Sequence, residues 1–389
     1  MTHPNSTHGN FTGELATDFL KRGFTRRGLY KMATLLAAGT ALPFYNEQAL
    51  AQLSQVKNMP PDAVKINANE NPMGPCPEAA EAIHAIVAKG GRYLYEETDA
   101  LKELLAEQEG VRSSYVKPYA GSSQPLHLAV LAFTSKDRPY VVADPGYEAG
   151  AKAAEFIGAP VIRVPLQKAT FAHDVKAMLA AAPNAGLFYI CNPNNPTGTL
   201  TPAKDIEWLV ANKPAGSVVV VDEAYIHLSS APMSSPLVAA DKDVVILRTF
   251  SKLYGMAGLR AGAALGRPDL LEKMTPYGAG ALPVTGMIGA TTSLKQKNLV
   301  PERRKIIADI RTDVFSFLEK NKIEYVASEA NMFMMNVKRP AAEFASAMTK
   351  HKVYIGRPWK VWPEWVRVSV GTRDEMAKFK DACVKVYHA

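Results

Sequence analysis

Cysteine is scarce in this 389-residue sequence: Cys76, Cys191 and Cys383 are far apart and odd in number. They can form neither a disulfide framework nor a paired CxxC set of zinc ligands. No apolar run reaches the roughly 20 residues that a membrane-spanning helix needs. The net charge is +8, but Lys and Arg are scattered and form no block, so there is no electrostatic footprint for nucleic acid. HExxH, GxSxG and clustered histidines are missing, which leaves metal-dependent and serine hydrolysis without support. The run Gly278-Ala279-Gly280-Ala281-Leu282-Pro283 lacks the preceding strand and the final glycine of a dinucleotide loop.

What is present suits a globular enzyme. Hydrophobic residues make up 47% of the chain, enough for a large core, and the length suggests two domains at about 150 residues each. There is no repeat, low-complexity tract or Gly/Ser linker past the first fifty residues, so the domains are expected to share segments of chain. At the N-terminus, Thr25-Arg26-Arg27-Gly28-Leu29-Tyr30-Lys31 precedes a short apolar stretch, 32–44, and Ala49-Leu50-Ala51 supplies a small-x-small cleavage pattern. This order resembles the twin-arginine export signal, which carries proteins already folded. It implies a signal over 1–51, a mature chain from about Gln52 with no membrane anchor, and a periplasmic location, or a cytoplasmic one if the signal is unused.

Continuous apolar runs at 140–143, 161–164, 186–190, 217–221, 244–247 and 261–265 read as strands covered on both faces, with helices at 124–133, 147–157 and 204–212 between them. The expected fold class is therefore α/β with a mostly parallel sheet. After about residue 285 the pattern turns to long polar helices, then strands at 332–337 and 366–370 of a smaller α+β region. Glu302-Arg303-Arg304 reads as a solvated helix face, and Cys191 as a buried, inert thiol.

Ligands of an open α/β sheet bind beyond the carboxyl ends of its strands. Three of these ends carry polar residues: Asp222-Glu223-Ala224-Tyr225, Cys191-Asn192-Pro193-Asn194-Asn195-Pro196-Thr197-Gly198, and Arg248-Thr249-Phe250-Ser251-Lys252. Lysines are normally solvated surface charges. One placed here, eight residues before Arg260, belongs to a site.

The Asn-Pro-Thr-Gly, Asp-x-x-Tyr and Ser-Lys set with its following arginine resembles the pyridoxal 5'-phosphate site of fold-type I aminotransferases. Asn67-Ala68-Asn69-Glu70-Asn71-Pro72 and Arg367-Val368-Ser369-Val370-Gly371-Thr372 further resemble the histidinol-phosphate aminotransferase group, and the likeness runs from about residue 60 to the end. It implies a seven-stranded large domain over 92–285 and a small domain built from 52–91 and 286–389.

It also implies roles. Lys252 would form a Schiff base with the cofactor and then shuttle a proton, and Asp222 would hold the ring nitrogen protonated so that the ring acts as an electron sink. Asn195 and Tyr225 would bond the ring oxygen, and Tyr147 would stack on the ring. The phosphate would take Arg260, Thr249, Ser251 and the helix N-terminus opened by Gly121-Ser122-Ser123. Tyr93 would reach the partner's phosphate across a homodimer. Arg367 would hold the substrate carboxylate, with Arg357 and Asn69 also on the substrate side. The substrates implied are an amino acid and a 2-oxo acid exchanged by a ping-pong route, with no metal and no nucleic acid. Two alternatives stay open: another outcome of the same cofactor chemistry (lyase, racemase or oxidase), and a non-catalytic relative that keeps only the fold.

Overall fold

The apolar runs form one seven-stranded sheet. A computed structural model of the protein describes residues 13–26, 59–277 and 281–388. Most of the export-signal reading, from Arg27 to Ala51, and Gly278 to Gly280 of the glycine-rich run lie outside the described residues. The strands in chain order are β1 (Val64–Ile66), β2 (Val116–Tyr119), β3 (Tyr140–Asp144), β4 (Val161–Pro165), β5 (Leu187–Cys191), β6 (Val218–Asp222), β7 (Val244–Thr249), β8 (Gly262–Gly266), β9 (Tyr325–Val326), β10 (Met332–Asn336), β11 (Val353–Ile355), β12 (Pro358–Trp359) and β13 (Trp362–Ser369).

The large sheet has the order β2-β8-β7-β6-β5-β3-β4. Its pairings are parallel from β7 through β4, and β8 alone runs antiparallel to both neighbours. Every residue of β5, β6 and β7 is buried, as expected of strands covered on both faces. The strand order reverses between β5 and β3, and that switch point opens a crevice at the strand ends.

Strand β2 carries no sequence signal because Pro118 interrupts it; proline lacks a ladder donor, and β2 accordingly lies at the sheet edge. The helix expected to begin at 147 starts at Ala149, after the turn that frees Tyr147.

Beyond residue 283, the first helix, Val284–Lys295, is largely apolar and half buried, contrary to the polar reading. It packs against Pro77–Val87. The long polar helix is Leu299–Lys320, and its Arg303 is buried, so the triplet at 302–304 is not the solvated face expected of it. The small region holds the sheet β12-β13-β10-β9, while β1 pairs in parallel with β11, joining chain from both ends.

One helix lies ahead of the arginine pair. Gly13–Lys21 packs through Phe19, whose ring is edge-on to Tyr277 at 5.6 Å, and Phe24, just past the helix end, is buried against Phe19. Arg22 donates to the carbonyls of Leu131 (2.6 Å) and Thr134. These are the unsatisfied acceptors at the C-terminal end of the helix Ser123–Phe133. Among the described residues no helix is long and apolar enough to cross a membrane.

Candidate active site

At the switch point lies a cavity of about 350 Å³. Its lining includes Ser122, Ser123, Tyr147, Asn195, Asp222, Tyr225, Thr249, Ser251, Lys252 and Arg260, so ten residues singled out from sequence converge on one space.

Asp222 ends β6 and is 3% exposed. The Tyr189 hydroxyl donates to its Oδ2 at 2.8 Å and the Ala224 amide to its Oδ1 at 3.2 Å. Burial pushes its carboxyl up to about 6, against the opposing pull of those two hydrogen bonds and of the Lys252 charge. A buried acid shifted toward neutrality and facing a cavity marks a functional group. Tyr189 itself gave no sequence signal, because on a fully buried strand a tyrosine reads as core.

Lys252 is buried at 7% exposure, with Nζ donating to the Asn69 carbonyl at 3.1 Å and lying 5.5 Å from the centre of the Tyr225 ring. The Tyr225 hydroxyl accepts from Asn69 Nδ2 (3.1 Å) and Asn195 Nδ2 (3.4 Å). Asn69 therefore contacts both the amine and the phenol, and its left-handed backbone (φ 53°) turns it to do so.

The loop after Lys252 is fastened by groups that sequence reasoning missed. The Leu253 carbonyl accepts from Asn71 Nδ2 (2.8 Å) and from Arg303 Nη1 (3.1 Å). At Gly255 (φ +69°) a Cβ would stand 2.1 Å from the Gly74 carbonyl, so only glycine lets the two loops meet.

The opposite end of the cavity collects anion-binding donors. Arg260 donates to Ser251 Oγ (3.3 Å), the Ala257 carbonyl (2.9 Å) and the Ala120 carbonyl (3.0 Å). Its backbone is left-handed at φ 58°, a strained state that clusters at functional sites. Gly121 (φ +90°) lies against this guanidinium, where a Cβ would be 2.3 Å from Nη2. Thr249 Oγ1 bonds Ser251 Oγ at 3.0 Å. Ser122 stands at the N-cap position of the helix Ser123–Phe133 without a side-chain capping bond, and the N-terminal N–H groups of that helix favour an anion.

Five sequence candidates lie outside the lining: Gly121, which adjoins Arg260, and Asn69, Arg367, Arg357 and Tyr93. Asn69 hydrogen-bonds Lys252 and Tyr225, which do line the cavity. Arg367, on β13, is buried at 1% exposure and donates to Asn195 Oδ1 and to the Asn67 carbonyl, each at 2.8 Å. Arg357, expected on the substrate side, is paired two-pronged with Glu148. Tyr93 stands 69% exposed and stacks on Tyr95 with centroids 5.6 Å apart. Cys191 is buried and lines the cavity.

The comparisons agree with this geometry. The model for "Aminotransferase class I and II" matches residues 61–382. Histidinol-phosphate aminotransferase of Symbiobacterium thermophilum is 34% identical over 329 residues, covering 82% of this chain and 90% of that protein. The same enzyme of Moorella thermoacetica is 31% identical, covering 82% and 84%. Among solved structures, histidinol-phosphate aminotransferase from Sinorhizobium meliloti in complex with pyridoxal-5'-phosphate superposes with a TM-score of 0.78 at 25% identity, covering 90% of this chain and 96% of that one. A match over most of the chain, on a fold whose strand ends carry the expected amine, acid and anion-binding donors, places the protein in the class I and II aminotransferase family.

Proposed function

We propose that the protein is a pyridoxal 5'-phosphate-dependent aminotransferase that moves an amino group between an L-amino acid and a 2-oxo acid and works as a homodimer. The observation that carries this reading is the joint burial of a primary amine, Lys252, and a carboxyl, Asp222, in one cavity that ends in Arg260, Ser251 and a helix N-terminus. That donor set fits a molecule with an aldehyde, a basic ring nitrogen and a phosphate.

Asp222 would hold the ring nitrogen. The Tyr225 hydroxyl and Asn195 would hold the ring oxygen, and Tyr147 the ring face. Arg260, Thr249, Ser251, Ser122 and Ser123 would hold the phosphate, with Gly121 leaving room for the guanidinium. When bound, the cofactor supplies the carbonyl that accepts the amino group and an electron-withdrawing ring. Lys252 moves the proton at the substrate Cα, and its burial keeps water from that exchange. Arg367, steadied by Asn195 and the Asn67 carbonyl, binds the substrate carboxylate through its planar fork.

The dimer is supported by an exposed aromatic patch. Tyr93 and Tyr95, stacked with centroids 5.6 Å apart, are 69% and 64% exposed, a pair of rings that a partner surface would cover. Tyr93 would reach the partner's phosphate; analytical ultracentrifugation should give a dimer that Tyr93→Ala weakens or leaves poorly loaded. Residues 1–51 would form a twin-arginine signal that exports the folded enzyme. The exposed Arg26 supports this reading, and cell fractionation with N-terminal sequencing tests it. A chain found only in the cytoplasm with its first residues intact would refute it.

The test of activity is a panel of L-amino acids added to the loaded enzyme while the visible absorbance of the cofactor is followed. Loss of absorbance that a 2-oxo acid restores supports amino transfer. Ammonia or oxo acid released without a co-substrate would point to lyase or oxidase chemistry.

A further inference from the structure

Tyr189 and Asp222 stand on neighbouring strands. In the register of β5 against β6, Tyr189 pairs with Val220 and Cys191 with Asp222, so Tyr189 and Asp222 are diagonal neighbours on one face of the sheet. Both are buried, Tyr189 completely. A phenylalanine in its place would fill the same space; what the tyrosine adds is one hydroxyl, which a buried strand accommodates at little cost only where it finds a partner. The partner it finds is Oδ2 of Asp222, at 2.8 Å.

That bond acts on the carboxyl in two ways. An ionised carboxylate accepts at about four positions, two on each oxygen. Tyr189 takes one on Oδ2 and the Ala224 amide one on Oδ1 at 3.2 Å, so each oxygen is tethered once and keeps an acceptor position, on a side chain that lines the cavity. A donated hydrogen bond also favours the charged form of the acid, against the burial that disfavours it. Of the charges nearby, Lys252 favours the carboxylate as Tyr189 does, and Glu223 opposes it. Burial, with Asp222, Cys191 and Tyr140 beside it, keeps the Tyr189 phenol protonated and therefore a donor. Glu70, Tyr147, Tyr225 and Arg260 complete the ionisable groups of the cavity lining.

We infer that Tyr189 is a positioning residue: its hydroxyl holds Asp222 as an oriented carboxylate facing the cavity, ready to pair with the N–H of the proposed cofactor's ring. Tyr189 does not line the cavity and acts only through Asp222, which does. This rests on the cofactor reading above and deepens it.

The first measurement needs no cofactor. Tyr189→Phe removes the hydroxyl and keeps the ring, and protonation of the Asp222 carboxyl in the cofactor-free full chain is followed by difference infrared titration against Asp222→Asn. The midpoint, about 6 in the wild type, should rise by about one pH unit in Tyr189→Phe, which is what one hydrogen bond to a charged group supplies. The second measurement is the affinity for pyridoxal 5'-phosphate across pH. Tyr189→Phe should bind it about fivefold more weakly at pH 6 and less than about twofold more weakly at pH 8, where the carboxyl is ionised in both chains. With the analogue whose ring nitrogen is replaced by C–H, and likewise in an Asp222→Asn background, removing the hydroxyl should cost no affinity. A loss equal at every pH, or one that persists with the analogue or in Asp222→Asn, shows that Tyr189 only packs and overturns the inference, as does an unmoved infrared midpoint. Wild type that binds no pyridoxal phosphate sinks the cofactor reading and this inference together, whereas wild type that binds it but transfers no amino group sinks amino transfer alone.

Discussion

Asp222 and Glu223 are adjacent and equally buried, yet they are held in opposite ways. Glu223 meets its counter-charge directly: Arg248, 2% exposed, pairs with it and bonds Glu109 through Nε (2.6 Å) and Nη2 (2.8 Å). Burial alone would raise the Glu109 carboxyl, but the Arg248 charge and hydrogen bonds, with a bond from Ser235, bring it below its ordinary value. Desolvation opposes the Arg248 charge, and the two carboxylates outweigh it and hold its guanidinium firmly protonated. Asp222 receives instead a phenol and an amide, both neutral, and sits near 6. The difference separates a charge cluster that fastens helix Tyr95–Glu109 to the sheet from a carboxyl held by neutral donors at the cavity wall, where the proposed cofactor ring would bring the positive charge. Sites built for binding are commonly the less stable part of a fold.

The sharpest way to break this comparison is at the amine. Lys252→Ala should lower turnover roughly 10⁴-fold, the upper end of what a positioned proton-transfer group contributes, and shift the visible absorbance of added cofactor. Unchanged turnover there would remove the proposed chemistry altogether. Next comes Arg248→Ala, which strands two buried carboxylates and should cost about 3–5 kcal/mol in urea unfolding. Adding Glu109→Gln and Glu223→Gln should recover much of that loss.

The two carboxyls should also respond to pH with opposite signs. Asp222 has a folded value near 6 against 3.8 ordinarily, so the cost of its burial is absent below about pH 4 and complete above pH 6. Cofactor-free Asp222→Asn should therefore gain up to about 3 kcal/mol over wild type at pH 7, a gain that disappears toward pH 4, and should hold cofactor more weakly. Glu109 lies below its ordinary 4.5, so its contribution is present above that value and lost as pH falls through it. Accordingly, Glu109→Gln should destabilise most at neutral pH. The smallest effect expected is that of Arg22→Ala, about 1–2 kcal/mol by thermal unfolding, from uncovering the Leu131 and Thr134 carbonyls.

The residues most legible in the sequence were those whose signal is local. Buried strands are unbroken apolar runs, and their polar ends announced Asn195, Asp222, Thr249, Ser251 and Lys252. Residues defined by distant partners were not legible. Arg303 looks like any charge on an amphipathic helix, because its buried acceptor, the Leu253 carbonyl, lies 50 residues away. Tyr189 is silent until β6 pairs with β5 and brings Asp222 alongside. Pro118 hid an edge strand. Arg357 stood out as a cation, but its carboxylate partner Glu148, 209 residues earlier, did not.

The docked segment Gly13–Arg26 bears on the maturation proposed above. A cut after Ala51 would take away the plug as well as the proposed address: Phe19 would vacate its seat beside Tyr277 and Phe24 its place against Phe19, and the helix whose other end faces the cavity would lose the cation at its tail. Precursor and processed enzyme would then be two differently finished proteins. Heating the full chain and a chain begun at Gln52 would show how much firmness residues 13–26 lend.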